Sequence, residues 1–208
     1  MKLCDISHLY HETSGFYAGL KSQLSGHNHQ FGYRLIYGPA FLRPRILWLA
    51  FQPGGSIANP AHSAVQTSGV CAYSYEKWTL ARRMRATFPI RVLRESVAVN
   101  AIFVRSPSIK IYKRLPVATR TSIFAFCRPR IEQLIWRLDP TLVVAIGLAT
   151  LRLFDRSPVT VRFGRSGKAL IQRGKIGGRR VIAVPHISGS RIAKDDLNKI
   201  AAYTLSLI

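Results

Sequence analysis

The sequence predicts an α/β protein: a parallel sheet with helices packed on both faces. Four short apolar runs recur along the chain, ILWLAF (46–51), SVAVNAIF (96–103), LVVAIG (142–147) and VIAVP (181–185). Each is continuous rather than alternating, which is the pattern of strands covered on both sides. Helical patterns lie between them. Strands that alternate with helices imply parallel pairing and right-handed crossovers.

The first 40 residues hold an expected helix near 13–24 and a linker rich in Gly, His and Asn. Residues 1–34 are expected to pack as a helical extension on a single domain spanning 1–208. SYEKWTLARRMRATF (74–88) reads as the helix after the first strand. PVATRTSIFAFCRPRIEQLIWRLD (116–139) precedes the third, and Pro129 is expected to break or kink it. LATLRLF (148–154) follows the third strand, and RIAKDDLNKIAAYTLSL (191–207) closes the chain. Segment 155–180 reads as either a hairpin or an irregular excursion. There is no internal repeat and no low-complexity tract.

Charge sets the class of partner. The 208 residues carry 31 Lys+Arg against 9 Asp+Glu, a formal net charge of +22. That imbalance favours a polyanion, with nucleic acid first and an anionic membrane surface second. The densest clusters are Arg82, Arg83 and Arg85, then Lys110 to Arg114, then Arg173 to Arg180. Their dispersal points to a basic face on a folded domain rather than a basic tail. Three cysteines without a CxxC pair cannot supply a four-cysteine zinc or iron–sulfur site. No metal and no cofactor are expected. Free thiols suit a reducing compartment. The start, MKLCDISHLYHE, lacks the apolar core of a signal peptide, and LVVAIGLATL (142–151) is too short to cross a bilayer. The expectation is a monomeric, cytoplasmic protein (nucleoid-associated if prokaryotic) with no membrane contact.

Three polar features stand at the carboxyl ends of expected strands. Gln52 begins QPGGS after the first, Asn100 lies in VAVNAIF at the second, and His186 begins HISGS after the fourth. In a parallel sheet these ends share one edge, where α/β proteins place their ligands. Each also has a structural reading. Asn100 suits a satisfied core amide, His186 a cap on the last helix, and PGGS a plain turn.

Taken in order, ILWLAFQPGGS, SVAVNAIFVRSPS, LDPTLVVAIGLATLRLF and VIAVPHISGS resemble the motifs of the uracil-DNA glycosylase superfamily, over roughly residues 35–208. The resemblance implies a three-layer α/β/α fold with a short four-stranded parallel sheet. It implies hydrolysis of the N-glycosidic bond of a damaged or deaminated base in DNA, after the base leaves the stack. Asn100 would then pair with the edge of the flipped base, since an amide offers both a donor and an acceptor. His186 would donate to the base oxygen that gains charge, helped by helix N-terminal amides after it. Phe51, Tyr73 and Tyr75 would bind or stack on the base. Pro53, Gly54, Gly55 and Ser56, with Ser188, Gly189, Ser190 and Arg191, would hold DNA.

Gln52 stands where this family handles the attacking water. Several branches have Asp or Glu there, which polarise water; others have Asn, which orients it. A glutamine orients water without taking its proton. A slow enzyme is expected, or one whose water is held by another group such as Glu76 or Asn59. The chain departs elsewhere too. It lacks the iron–sulfur cysteines, and Ile187 stands where proline is common. Ser190 occupies the place of a leucine that wedges into the base stack, leaving Arg191 either as the wedge or as a phosphate contact. Two other readings remain open: a non-catalytic member that binds DNA or abasic sites, and an unrelated RNA- or ribosome-binding α/β protein.

Overall fold

The computed structural model describes residues 1–27, 31–54, 69–188 and 192–208. Its six strands are β1 (Ile46–Ala50), β2 (Val97–Asn100), β3 (Leu142–Ile146), β4 (Val159–Phe163), β5 (Ala169–Ile176) and β6 (Arg179–Val184). They form one mixed sheet in the order β2-β1-β3-β6-β5-β4. The four continuous apolar runs are the four parallel strands, β2, β1, β3 and β6.

The expected four-stranded sheet is therefore corrected to six strands. Segment 155–180 supplies the difference: β4 and β5 form an antiparallel hairpin that pairs onto β6. Its signal was weak for a physical reason. Val159 and Phe163 of β4 are exposed, so this strand shows no continuous apolar run. Its register also slips around Thr160 and Arg162, which disturbs a two-residue alternation.

Side chains alternate between the two faces of the sheet. Leu47, Leu49, Val97, Val99, Val143, Ala145, Val181 and Ala183 enter one buried cluster. There they meet α1 (Ser7–Ser25), α5 (Val117–Leu138) and α6 (Leu148–Arg152). Ile46, Trp48, Ala98, Val144, Ile146, Ile182 and Val184 enter a second cluster. There they meet α2 (Thr79–Thr87), α3 (Ile90–Arg94) and α7 (Lys194–Leu205). Helices thus cover both faces. Trp48 is fully buried, and its indole N–H donates to Ser96 Oγ at 2.9 Å, so its one polar group is satisfied.

Pro129 does not break α5, which runs through it from Val117 to Leu138. Ile123, Cys127, Ile131, Leu134, Ile135 and Leu138 are all buried along this helix. Burial of that stripe offsets the backbone bond that proline removes. The N-terminal helix α1 begins earlier than expected and docks on α5: Phe16 stacks on Phe126 with ring centroids 3.9 Å apart. A 3-10 turn, Ala72–Ser74, takes the start of the segment expected to be helical over 74–88. The short α3 and α4 (Ile109–Tyr112) had no clear pattern. At the chain's end, α7 begins at Lys194, with Ala193 as its N-cap. His186 therefore does not cap that helix, and the amides of Ile187 and Ser188, which follow it in a turn, do not belong to its N-terminus. No helix among the described residues is long and apolar enough to cross a membrane.

Candidate active site

Register places the site. Ala50 pairs with Asn100 and with Ile146, and Ile146 pairs with Val184. The four parallel strands therefore end in one row. The chain leaves that row as Phe51 and Gln52 from β1, Ala101 from β2, Gly147 from β3, and Pro185 and His186 from β6. Asn100 and His186 stand on strands three spacings apart, about 14 Å. Gln52 lies between them.

A cavity of about 290 Å³ opens on this row. Phe51, Ile109 of α4, Gly147 to Thr150 after β3, and Pro185 with His186 after β6 line it. His186 is the one titratable side chain among the described lining residues. Burial pushes its pKa below the ordinary 6.5, partly opposed by its own backbone hydrogen bond, so the ring is neutral at physiological pH. Ser188 Oγ lies 3.0 Å from His186 Nδ1. With that hydroxyl donating, the ring proton sits on Nε2.

Gly147 sets the wall beside this imidazole. Its φ is +98°, and an added Cβ would stand 3.3 Å from Thr150 Oγ1 and 3.8 Å from His186 Cβ. Gly147→Ala is expected to cost about 1–3 kcal/mol in stability. Urea unfolding checks this; a variant as stable as the parent would show that the turn relaxes without strain.

The other half of the site is polar. Asn100 is fully buried. Its Nδ2 donates to Arg34 O at 3.4 Å, while its Oδ1 has no hydrogen-bond partner among the described residues. Tyr37 lies beside it. Burial raises that phenol's pKa, and Arg34, Arg105, the Asn100 side chain and the Gly54 backbone act in the opposite direction. The Arg34 guanidinium carbon sits 4.6 Å from the centre of the Tyr37 ring.

Gln52 is half-buried between the two halves. Its Nε2 donates to Ser106 O at 3.4 Å, and its Oε1 is buried with no partner among the described residues. The backbone around it is tied to the loop after β2. Ala101 N donates to Ala50 O, Ile102 N to Phe51 O, and Ser106 N to Pro53 O. Arg105 Nε donates to Gly54 O at 2.8 Å. Gln52 thus emerges from a stretch held by backbone bonds, and its Oε1 keeps no partner among the described residues.

The expected site residues divide accordingly. Phe51 and His186 share the cavity. Gln52 and Asn100 lie on the same edge but do not line it. Ser188 contacts His186 rather than standing alone. Pro53 is buried and Gly54 exposed. Tyr73 is buried in the cluster on the face opposite that of Phe51, its ring centroid 6.4 Å from that of Tyr37. It packs near-parallel to Tyr37 and is almost fully buried, so it has no open ring face. Tyr75 is exposed. Gly55, Ser56, Asn59, Gly189, Ser190 and Arg191 lie outside the described residues.

Sequence reasoning missed Arg34, Tyr37, Arg105, Ile109 and the Gly147 turn. Gly147 was readable, since it directly follows β3, and Arg105 lies in the loop that leaves β2 on the same edge. Arg34 and Tyr37 gave no signal. They arrive through isolated bridges that pair Tyr33 with Val104 and Ile36 with Val99. No family model matches the chain, and no curated protein matches it.

Proposed function

We propose that this protein is a DNA glycosylase of the uracil-DNA glycosylase type, acting in base-excision repair. It would hydrolyse the N-glycosidic bond of a deaminated or damaged base, with uracil as the first candidate. One observation carries the reading: Phe51 and a neutral His186 share a small apolar cavity on the edge where Asn100 holds a buried amide oxygen with no hydrogen-bond partner among the described residues. An unsatisfied buried acceptor costs stability and suits a missing donor. A flipped pyrimidine brings a flat face for Phe51 and an N–H for Asn100. The parallel order β2-β1-β3-β6, with helices on both faces, supports a core of the α/β/α type that the motifs implied.

Roles follow from the chemistry. The bond between C1′ and the base nitrogen breaks, and the electron pair leaves with the base. His186 donates a hydrogen bond to the base oxygen where that charge gathers, in a site where few waters compete. The Gln52 amide oxygen orients a water toward C1′ of the cation-like sugar. The water's hydroxyl joins C1′, and its proton ends on the departing base or in solvent. The scheme needs no cofactor. A net charge of +22 holds the phosphates, so binding weakens steeply with salt.

The pH profile follows from His186. Its neutral form is the working form, and burial holds its pKa below 6.5. The cleavage rate is expected to stay flat above that value and to fall as pH drops through the depressed pKa. Single-turnover rates from pH 5 to 8 check the sign; a rate that rises on acidification would make the imidazolium the working form.

A second reading, a DNA binder without turnover, draws on a specific feature. Among the described residues no carboxylate lines the cavity, and Gln52 is already engaged with Ser106. The deciding experiment is a low-salt assay on labelled oligonucleotides carrying one uracil, hypoxanthine or xanthine, single- and double-stranded, followed by alkali. Breakage at one lesion establishes a glycosylase and names the base. Tight lesion binding without breakage establishes the binder. Preference for RNA without dependence on Asn100 or His186 removes both.

A further inference from the structure

The β4–β5 hairpin carries its turn to the same edge as the site. Gln172 of β5 pairs with Ala183 of β6. The pairing ends there, and β5 begins three residues earlier, at Ala169, on the side where β6 gives way to Pro185 and His186. Phe163 pairs with Ala169 in turn. Phe163 therefore stands at the edge where β6 ends, two strands over from it.

Phe163 is 63% exposed and belongs to neither buried cluster. Arg162, Arg165 and Lys168 are exposed around it. The turn is nonetheless held firmly. Gly164 N donates to Lys168 O at 2.9 Å, and Gly167 N to Gly164 O at 3.0 Å. The buried Asp196 of α7 accepts from Arg165 N at 3.2 and 3.1 Å with its two oxygens. Gly164 lies so close to this carboxylate that an added Cβ would stand 2.8 Å from Asp196 Oδ2. Asp196 is thus engaged by the Arg165 backbone and by Lys199, and the exposed side chains of the turn are an aromatic ring, cations and Ser166.

An exposed ring on a fixed turn, flanked by cations beside a ligand-binding edge, is the arrangement that stacks unpaired bases. We propose that Phe163, with Arg165 and Lys168, is a stacking platform for an unpaired nucleotide of the DNA strand next to the one held at His186. It gives the protein a preference for single-stranded DNA. The inference rests on the DNA-binding reading above and adds a second contact to it.

The test uses the full chain and an undamaged 15-nucleotide oligo-dT, its blunt duplex with oligo-dA, and oligo-rU, by fluorescence anisotropy. Phe163→Ala is expected to weaken binding to the single strand about tenfold and to leave the duplex within about twofold. Arg165→Ala with Lys168→Ala is expected to lower the salt slope on the single strand by about 1.4. Phe163→Trp should keep the affinity and show fluorescence quenching by oligo-dT beyond that of the parent. Equal loss on single strand and duplex, or no loss with an unquenched Phe163→Trp, overturns the platform. Tighter binding of oligo-rU than oligo-dT overturns its assignment to DNA. If the parent binds no nucleic acid at all, the DNA-binding reading itself falls, and the two failures are distinct. Matching thermal unfolding of parent and variants keeps a folding defect from imitating either result.

Discussion

His186→Ala should slow single-turnover cleavage of a uracil-containing strand about 10²–10³-fold while leaving DNA affinity nearly unchanged. In free DNA the leaving base is poorly stabilised, and charge collects on its oxygen as the bond to C1′ lengthens. A hydrogen bond aimed at that oxygen strengthens during the reaction, so its loss falls on the rate rather than on binding. The cavity amplifies the effect because its lining is mostly apolar. Ser188→Ala offers a graded companion. It removes the hydroxyl 3.0 Å from Nδ1 and frees the ring to take either tautomer, so a loss smaller than that of His186→Ala is expected. Quenched-flow kinetics at pH 7.5 separates the outcomes. An unchanged rate in His186→Ala would place the charge stabilisation elsewhere in the site.

Asn100→Ala carries the second large effect, and its signature is a split between activity and stability. The buried amide oxygen is unpaired among the described residues, while the amide nitrogen donates to Arg34 O over a long 3.4 Å and the side chain also reaches the Tyr37 phenol. Deleting an unsatisfied buried acceptor removes a cost on the order of 1–3 kcal/mol. That gain opposes the void the smaller side chain leaves. Stability is therefore expected to stay within about 1 kcal/mol of the parent, whereas kcat/KM on uracil DNA falls about 10²-fold or more through loss of two hydrogen bonds to the base edge. Asn100→Leu fills the volume without polarity and should be at least as stable as Asn100→Ala, and equally slow. A variant that unfolds readily would mean that Asn100 serves the core, and that its free oxygen is matched in solution.

The fold and the site were legible to different depths. The four parallel strands announced themselves because burial on both faces demands unbroken apolar runs. The β4–β5 hairpin did not, because an edge strand with Val159, Arg162 and Phe163 in solvent has no such demand. Pro129 misled for a related reason: local propensity gave way to the buried stripe of α5. Gln52, Asn100 and His186 could be placed on one edge from the sequence because parallel strands bring their carboxyl ends together. Tyr73 was not readable in this way. Nearness to QPGGS along the chain does not say which face of the sheet a ring will enter, and Tyr73 enters the one opposite Phe51. Arg34 and Tyr37 lay further out of reach, since their place depends on single bridges to β2 and its following loop rather than on any repeating pattern.

Those bridges have a consequence for how copies of this chain meet one another. A sheet margin with free N–H and C=O groups recruits strands from neighbouring molecules. At the β2 margin, Ile36 already bridges Val99, so part of that ladder is occupied from within the chain. At the opposite margin β4 is short, slips in register at Thr160 and Arg162, and bears an arginine that like-charged copies would have to bring together. Both margins therefore resist fibrillar stacking by separate means, one by cover and the other by irregularity and repulsion. Polyanions that neutralise the surface would remove only the repulsion at the second margin, leaving β4 guarded by its irregular register alone.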